Sequence, residues 1–166
     1  MIGTRDGKRL RDALMVTFFA AVSAASTVYA AGGGGDDGTR TWATDPVIEQ
    51  MQAYVAKKDW TGAAAHMKGA VAGNPGSADY NNLYAYAVRK GPNPNMDLVF
   101  KHYTEALKIE PKHRGAHEYI GEAYLMVNNL TKAKEHLAAL DRLCTFGCEE
   151  YTDLKKAVAA HTATKK

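Results

Sequence analysis

Residues 114–141 read RGAHEYIGEAYLMVNNLTKAKEHLAALD. Two short amphipathic segments flank a polar turn at Asn128-Asn129. In the first, His117, Ile120, Gly121 and Tyr124 fall at i, i+3, i+4 and i+7; in the second, Ala133, Leu137 and Leu140 repeat that spacing. Each set therefore shares one helical face, and the stretch reads as a helical hairpin. A glycine inside a helix costs about 1 kcal/mol relative to alanine. Close approach of a neighbouring helix is the usual reason to accept that cost, so Gly121 marks a packing contact.

The same hairpin recurs toward the N-terminus. Asp45-Pro46 places an N-cap before a proline at the first helical position, which starts a helix running to about Ala56. A Lys57-Lys58-Asp59 turn leads into a helix from Trp60 to about Ala72, stopped by Gly73-Asn74-Pro75. A third helix spans about Ala78 to Lys90 and ends at Gly91-Pro92-Asn93-Pro94-Asn95. A fourth runs from Met96 to Ile109, ahead of Pro111. After the hairpin in 114–143, one more amphipathic helix covers Glu149 to about Thr162, with Tyr151, Leu154 and Val158 on one face. The spacing is nearly constant. Met67 to Tyr103, Ala70 to Ala106 and Pro75 to Pro111 are 36 residues apart; Val99 to Ala133, Tyr103 to Leu137 and Ala106 to Leu140 are 34 apart. The two extra residues fit the Gly-Pro-Asn-Pro-Asn turn. Three helix pairs and a terminal helix form a repeat array with a cap.

H-x-x-I-G-x-x-Y followed by A-x-x-x-L resembles the tetratricopeptide repeat pattern W-x-x-L-G-x-x-Y followed by A-x-x-x-F, with a proline near the end and a period of 34. His117 stands where the pattern has Trp, and Leu137 where it has Phe. The first pair departs furthest, with Gln50 and Met51 in the Leu and Gly slots; the second carries Tyr84-Ala85 there. The resemblance covers residues 44–162, as repeats at about 44–77, 78–113 and 114–147, a cap helix at 149–162 and a tail at 163–166. It implies an all-α fold: a right-handed α-α superhelix of three helix pairs plus a C-terminal capping helix.

In this family the first helix of each pair lines a concave surface that often holds peptides or other proteins. Carried through the period, that surface takes Asn82, Tyr86 and Arg89 from the second pair and Glu118, Glu122 and Leu125 from the third. Ile48, Gln52 and Val55 are their counterparts in the first pair, and the cap adds Thr152 and Lys156. The expected roles are Tyr86 as a stacking surface, Asn82 and Arg89 as hydrogen-bond donors, and Glu118 and Glu122 as charge filters. The plainer alternative is a solvated face on which Arg89 and Glu122 pair across adjacent helices, worth about 0–1 kcal/mol if exposed.

The N-terminal stretch has a different character. Lys8, Arg9 and Arg11 precede an apolar run, Ala13 to Ala25, and Val28-Tyr29-Ala30 fits a small-residue cleavage site. This is the pattern of a cleaved secretory signal in 1–30, with the alternative of a retained anchor. Residues 31–43 begin AGGGGDDGTR, a glycine-rich flexible linker with no P-loop context. The formal charge of +3 belongs mostly to the signal, where Arg5, Lys8, Arg9 and Arg11 face Asp6 and Asp12; the rest of the chain carries +1. Nucleic-acid binding, which needs a concentrated basic face, is not indicated. Export points to the periplasm of a Gram-negative cell, without stable membrane insertion once the signal is removed.

Cys144 and Cys148 make the sharpest local motif, C-T-F-G-C. In an exported chain, a close even pair reads as a disulfide. Gly147 allows the bend, and the bond pins the last helix to the third pair. The competing reading is a copper or thiol-redox accessory protein using both thiols and His136. His113 and His117 are four apart, but a zinc site needs further ligands, and His117 sits in the packing slot. Asn129-Leu130-Thr131 matches a glycosylation sequon, and Thr131 is also a plausible N-cap. No nucleophile–base pair or paired carboxylates stand out: Ser77 lies in a turn without G-x-S-x-G. The expectation is a non-enzymatic adaptor without metal or cofactor, its partner a protein or peptide. End-to-end self-association is a third possibility.

Overall fold

A helix end leaves backbone groups unpaired, and side chains at this protein's helix starts supply the missing acceptors. In the computed structural model, which describes residues 45–164, seven α-helices and no strands are present among the described residues. They are α1 (Pro46–Ala56), α2 (Trp60–Gly73), α3 (Ala78–Lys90), α4 (Met96–Ile109), α5 (Arg114–Met126), α6 (Leu130–Leu143) and α7 (Glu149–Ala163). Asp45, Asp59, Ser77, Asn95, His113, Asn129 and Cys148 are the N-caps, each accepting a hydrogen bond from a first-turn amide. A good cap of the Asp, Asn or Ser kind is worth about 1 kcal/mol. Thr131 does not cap α6: Asn129 Oδ1 reaches the Lys132 amide at 3.1 Å. Residues 1–44, which hold the expected signal and linker, lie outside the described residues.

Two turns within helix pairs share one geometry. After α1, Lys58 adopts φ +55°; after α5, Asn128 adopts φ +61°. The Asp59 amide donates to the Tyr54 carbonyl at 3.0 Å, and the Asn129 amide to the Tyr124 carbonyl at 2.8 Å. This is the Schellman ending, which satisfies carbonyls at a helix C-terminus through one left-handed residue. Asparagine tolerates that backbone; lysine does so at a cost. The Gly91–Asn95 segment replaces the motif in the second pair.

Packing follows chain order. Each helix meets its neighbours in sequence, and α5 also meets α3 and α7. The core is accordingly strung out in clusters. Met51, Ala63, Met67, Tyr84 and Ala87 form one; Ala85, Val99, Tyr103, Ile120 and Ala123 the next; Leu125, Ala133, Leu140, Leu154 and Val158 a third. Ala63, Val99 and Ala133, which occupy one repeat position, are all fully buried. Such an arrangement of locally stacked units is a helical repeat. Gly121 is where α7 docks on α5. A β-carbon there would stand 2.6 Å from Leu154 Cδ2 and 3.3 Å from its Cγ. No helix of the described residues is long and apolar enough to cross a membrane.

Candidate partner-binding face

Because α3 and α5 lie side by side, residues one repeat apart become neighbours. Arg89 is the centre of this contact. Its guanidinium forms an ion pair with Glu122 (Nη2 to Oε2, 2.7 Å), and its Nε donates to the Tyr103 hydroxyl oxygen at 3.2 Å. It also lies 5.6 Å from the ring centres of both Tyr86 and Tyr119, within cation–π range. Burial alone would lower the arginine's proton affinity; Tyr103 and Glu122 more than offset it, so the pKa lies above its ordinary value. Burial likewise pushes the Tyr86, Tyr103 and Tyr119 hydroxyls above theirs, so all three remain neutral phenols at physiological pH.

The rings continue outward from Arg89. Tyr86 and Tyr119 are 4.8 Å apart, and Trp60 meets Tyr86 edge-on at 5.9 Å. Lys90 Nζ stands 5.7 Å from the Trp60 ring centre. The outcome is a pre-assembled wall of aromatic rings held by one arginine.

The expected groove residues divide by depth. Arg89 is 7% exposed and Asn82 is 1% exposed, so both support the face from beneath. Asn82 Oδ1 is buried without a hydrogen-bond partner. Tyr86 and Glu122 are half-buried and border solvent. The Arg89–Glu122 pairing forms, with the arginine end inside the protein. Glu118 is 9% exposed and sits one turn before Glu122, toward α7. Its carboxyl pKa is pushed up to about 8, first by burial, then by the charges of Glu122, Asp153 and Glu150 against the opposing pull of Arg89. Sequence periodicity did not single out Trp60 or Tyr119, and it marked Tyr103 only as a packing position of the repeat. Their contacts run across helices, and repeat spacing compares positions along the chain.

A second polar cluster forms between α5 and α6. His117 Nε2 lies 3.0 Å from the Pro111 carbonyl oxygen, and its Nδ1 lies 2.9 Å from His136 Nδ1. The carbonyl can only accept, so neutral His117 carries its proton on Nε2. Its Nδ1 then accepts, and His136 donates from Nδ1. Tyr124 stacks on the other ring at 5.7 Å. Burial and the second imidazole push His136 down to about 4; burial first lowers His117 as well. His113 caps α5 and lies 3.1 Å from Asp79 Oδ1. His117 and His136 thus join α5 to α6 within the third pair, and His113 ties the start of α5 to α3.

Cys144 and Cys148 are bonded, S–S 2.09 Å, joining the C-cap of α6 to the N-cap of α7. The donor atoms of Cys144, Cys148 and Glu150 lie within 4.8 Å of one another; His136 is not in that group, and its ring contacts His117 and Tyr124 instead. Phe146 projects from the closed loop into solvent. A cleft of about 370 Å³ opens beside Asn74, Ser77, Ile109 and Glu110, at the turns rather than on the aromatic wall. No family model matches the chain, and no curated protein matches it.

Proposed function

We propose that this protein is an exported adaptor of the tetratricopeptide type, which holds a protein or peptide on the face built by α3, α5 and α7. Its helix pairs would continue as a right-handed superhelix with α7 as the cap. The observation that carries this reading is the clamped Arg89. Four groups fix it, so Tyr86, Tyr119 and Glu122 present one geometry before anything binds. Pre-organised aromatic and charged groups cost little to order on association. The Cys144–Cys148 bond supports an oxidising compartment. The periplasm is the compartment that fits it, with the signal peptide in 1–30 as the route.

The test is photo-cross-linking in the intact cell. A photoreactive residue at exposed Gln52 or Thr152, on the inner face, is expected to trap a defined partner. At exposed Lys101 or Lys134, on the second helices, it is expected to trap none. Equal patterns from both sets would remove the reading.

A second reading keeps the cysteine pair as a metal or thiol-redox site, favoured by the convergence of Cys144, Cys148 and Glu150. Thiol titration of protein taken directly from the cell separates the two. A fully bonded pair supports the adaptor; two free thiols with bound copper support the alternative.

A further inference from the structure

Four carboxylates gather where α5 meets α7: Glu118, Glu122, Glu150 and Asp153. Three of them have a cation. Glu122 pairs with Arg89 at 2.7 Å, Glu150 with Arg114 at 3.6 Å, and Asp153 with Lys156 at 3.0 Å. Glu118 has no hydrogen bond or ion pair among the described residues, although it is more than nine-tenths buried. An unpaired buried carboxyl is costly, and side chains are not usually left so without a function. The group is not sealed off. Among the described residues, the fully enclosed side-chain atoms without a hydrogen bond are Asn82 Oδ1, His161 Nε2 and Arg89 Nη2, the last ion-paired with Glu122, and the Glu118 oxygens are not among them. The carboxyl oxygens therefore keep some contact with solvent.

We propose that Glu118 receives the ammonium or guanidinium group of a lysine or arginine side chain, carried by a peptide segment lying across α3, α5 and α7. This rests on the partner-holding reading above and names the chemistry of the partner. Charge complementarity selects the occupant: the local set has four acidic groups against Arg89, Arg114 and Lys156, and one cation completes it. An apolar side chain would leave Glu118 unpaired, and an acidic one would add a fifth negative group.

Proton bookkeeping gives the interaction a signature. With the carboxyl held near 8, Glu118 is mostly a neutral acid at pH 7. A docking cation favours the carboxylate, so the acid releases its proton to solvent as the ion pair forms. Binding at pH 7 is then accompanied by net proton release.

The experiment selects random peptides on the full-length oxidised protein and on Glu118→Gln. The best peptide is then titrated calorimetrically at pH 7 in phosphate and in Tris. Expected are a lysine or arginine at one fixed peptide position and net proton release. Replacing that lysine by norleucine should weaken binding about tenfold or more, as for a charged hydrogen bond. Glu118→Gln should abolish both the basic preference and the proton release while keeping wild-type helicity. Selected peptides without a basic preference, or an unchanged preference on Glu118→Gln, would overturn the cation pairing and leave peptide capture standing. No selected peptide at all, or peptides cross-linking only to the second helices, would remove the partner-holding reading and this inference with it.

Discussion

Gly121→Ala tests how closely α7 sits on α5. The new methyl carbon would lie 2.6 and 2.8 Å from the two Leu154 methyls and 3.3 Å from Cγ. Carbon atoms in contact prefer about 3.5–4.0 Å, so Leu154 must move by close to 1 Å. Leu154 is fully buried and cannot swing into solvent. Forcing a methyl into a filled core costs about 1–3 kcal/mol; the helix-propensity gain of alanine over glycine returns about 1 kcal/mol. The net expectation is destabilisation of about 0–2 kcal/mol. Gly69→Ala is the internal control. It is also mid-helix, and a β-carbon there meets nothing within 4 Å, so it should gain about 1 kcal/mol. The two variants should differ by about 1–3 kcal/mol, the overpacking cost itself, in urea unfolding followed by circular dichroism. Adding Leu154→Ala removes the clash, so on that background Gly121→Ala becomes neutral or favourable. Equal stabilisation by Gly121→Ala and Gly69→Ala, or strict additivity with Leu154→Ala, would refute the close docking.

The remaining predictions concern turns, histidines and the disulfide. Lys58→Gly should stabilise by about 0.5–1 kcal/mol, because it relieves a left-handed lysine; chemical denaturation reads this directly, and no gain would mean the turn is unstrained. His136 has its folded pKa depressed to about 4 from 6.5, so its contribution is present above pH 6.5 and lost as pH falls toward 4. That loss should be on the order of 2–3 kcal/mol and should shrink in His136→Phe. Glu118 acts with the opposite sign: its folded pKa is raised to about 8 from 4.5, so its contribution is complete below pH 4.5 and lost as pH rises through 8. The histidine measurement is therefore made on Glu118→Gln, and a flat profile there between pH 7 and 4 would contradict the buried imidazole pair. Replacing both Cys144 and Cys148 by alanine should cost about 2 kcal/mol, the chain-entropy value for so short a loop. The loss should concentrate in α7, seen as faster hydrogen exchange there than in α3, and uniform acceleration would show that α7 is not pinned by the bond.

The helix ends were legible in the sequence because they are written locally. Asp45-Pro46, Gly73-Asn74-Pro75 and the proline-rich turn at 91–95 act on the backbone within a few residues, whatever the rest of the chain does. The repeat was legible for a similar reason: Met67 and Tyr103, then Val99 and Ala133, return at a near-fixed interval and are all buried. Gly121 announced a close contact because glycine is otherwise unfavourable inside a helix, but not that Leu154 would be its neighbour. Spacing placed Asn82, Tyr86 and Arg89 on one side of a helix and could not say how deep that side lies. Spacing already offered the Arg89–Glu122 pair; only packing showed Arg89 enclosed by Tyr86, Tyr103 and Tyr119 as well, and Glu118 left without a cation. Likewise His117 and His136, 19 positions apart, share a hydrogen bond that neither's own neighbours in sequence predict. Periodicity fixes the direction of a side chain within its own helix. Burial, pairing and proton affinity depend on what the adjoining helix brings to meet it, which is decided when the helices dock.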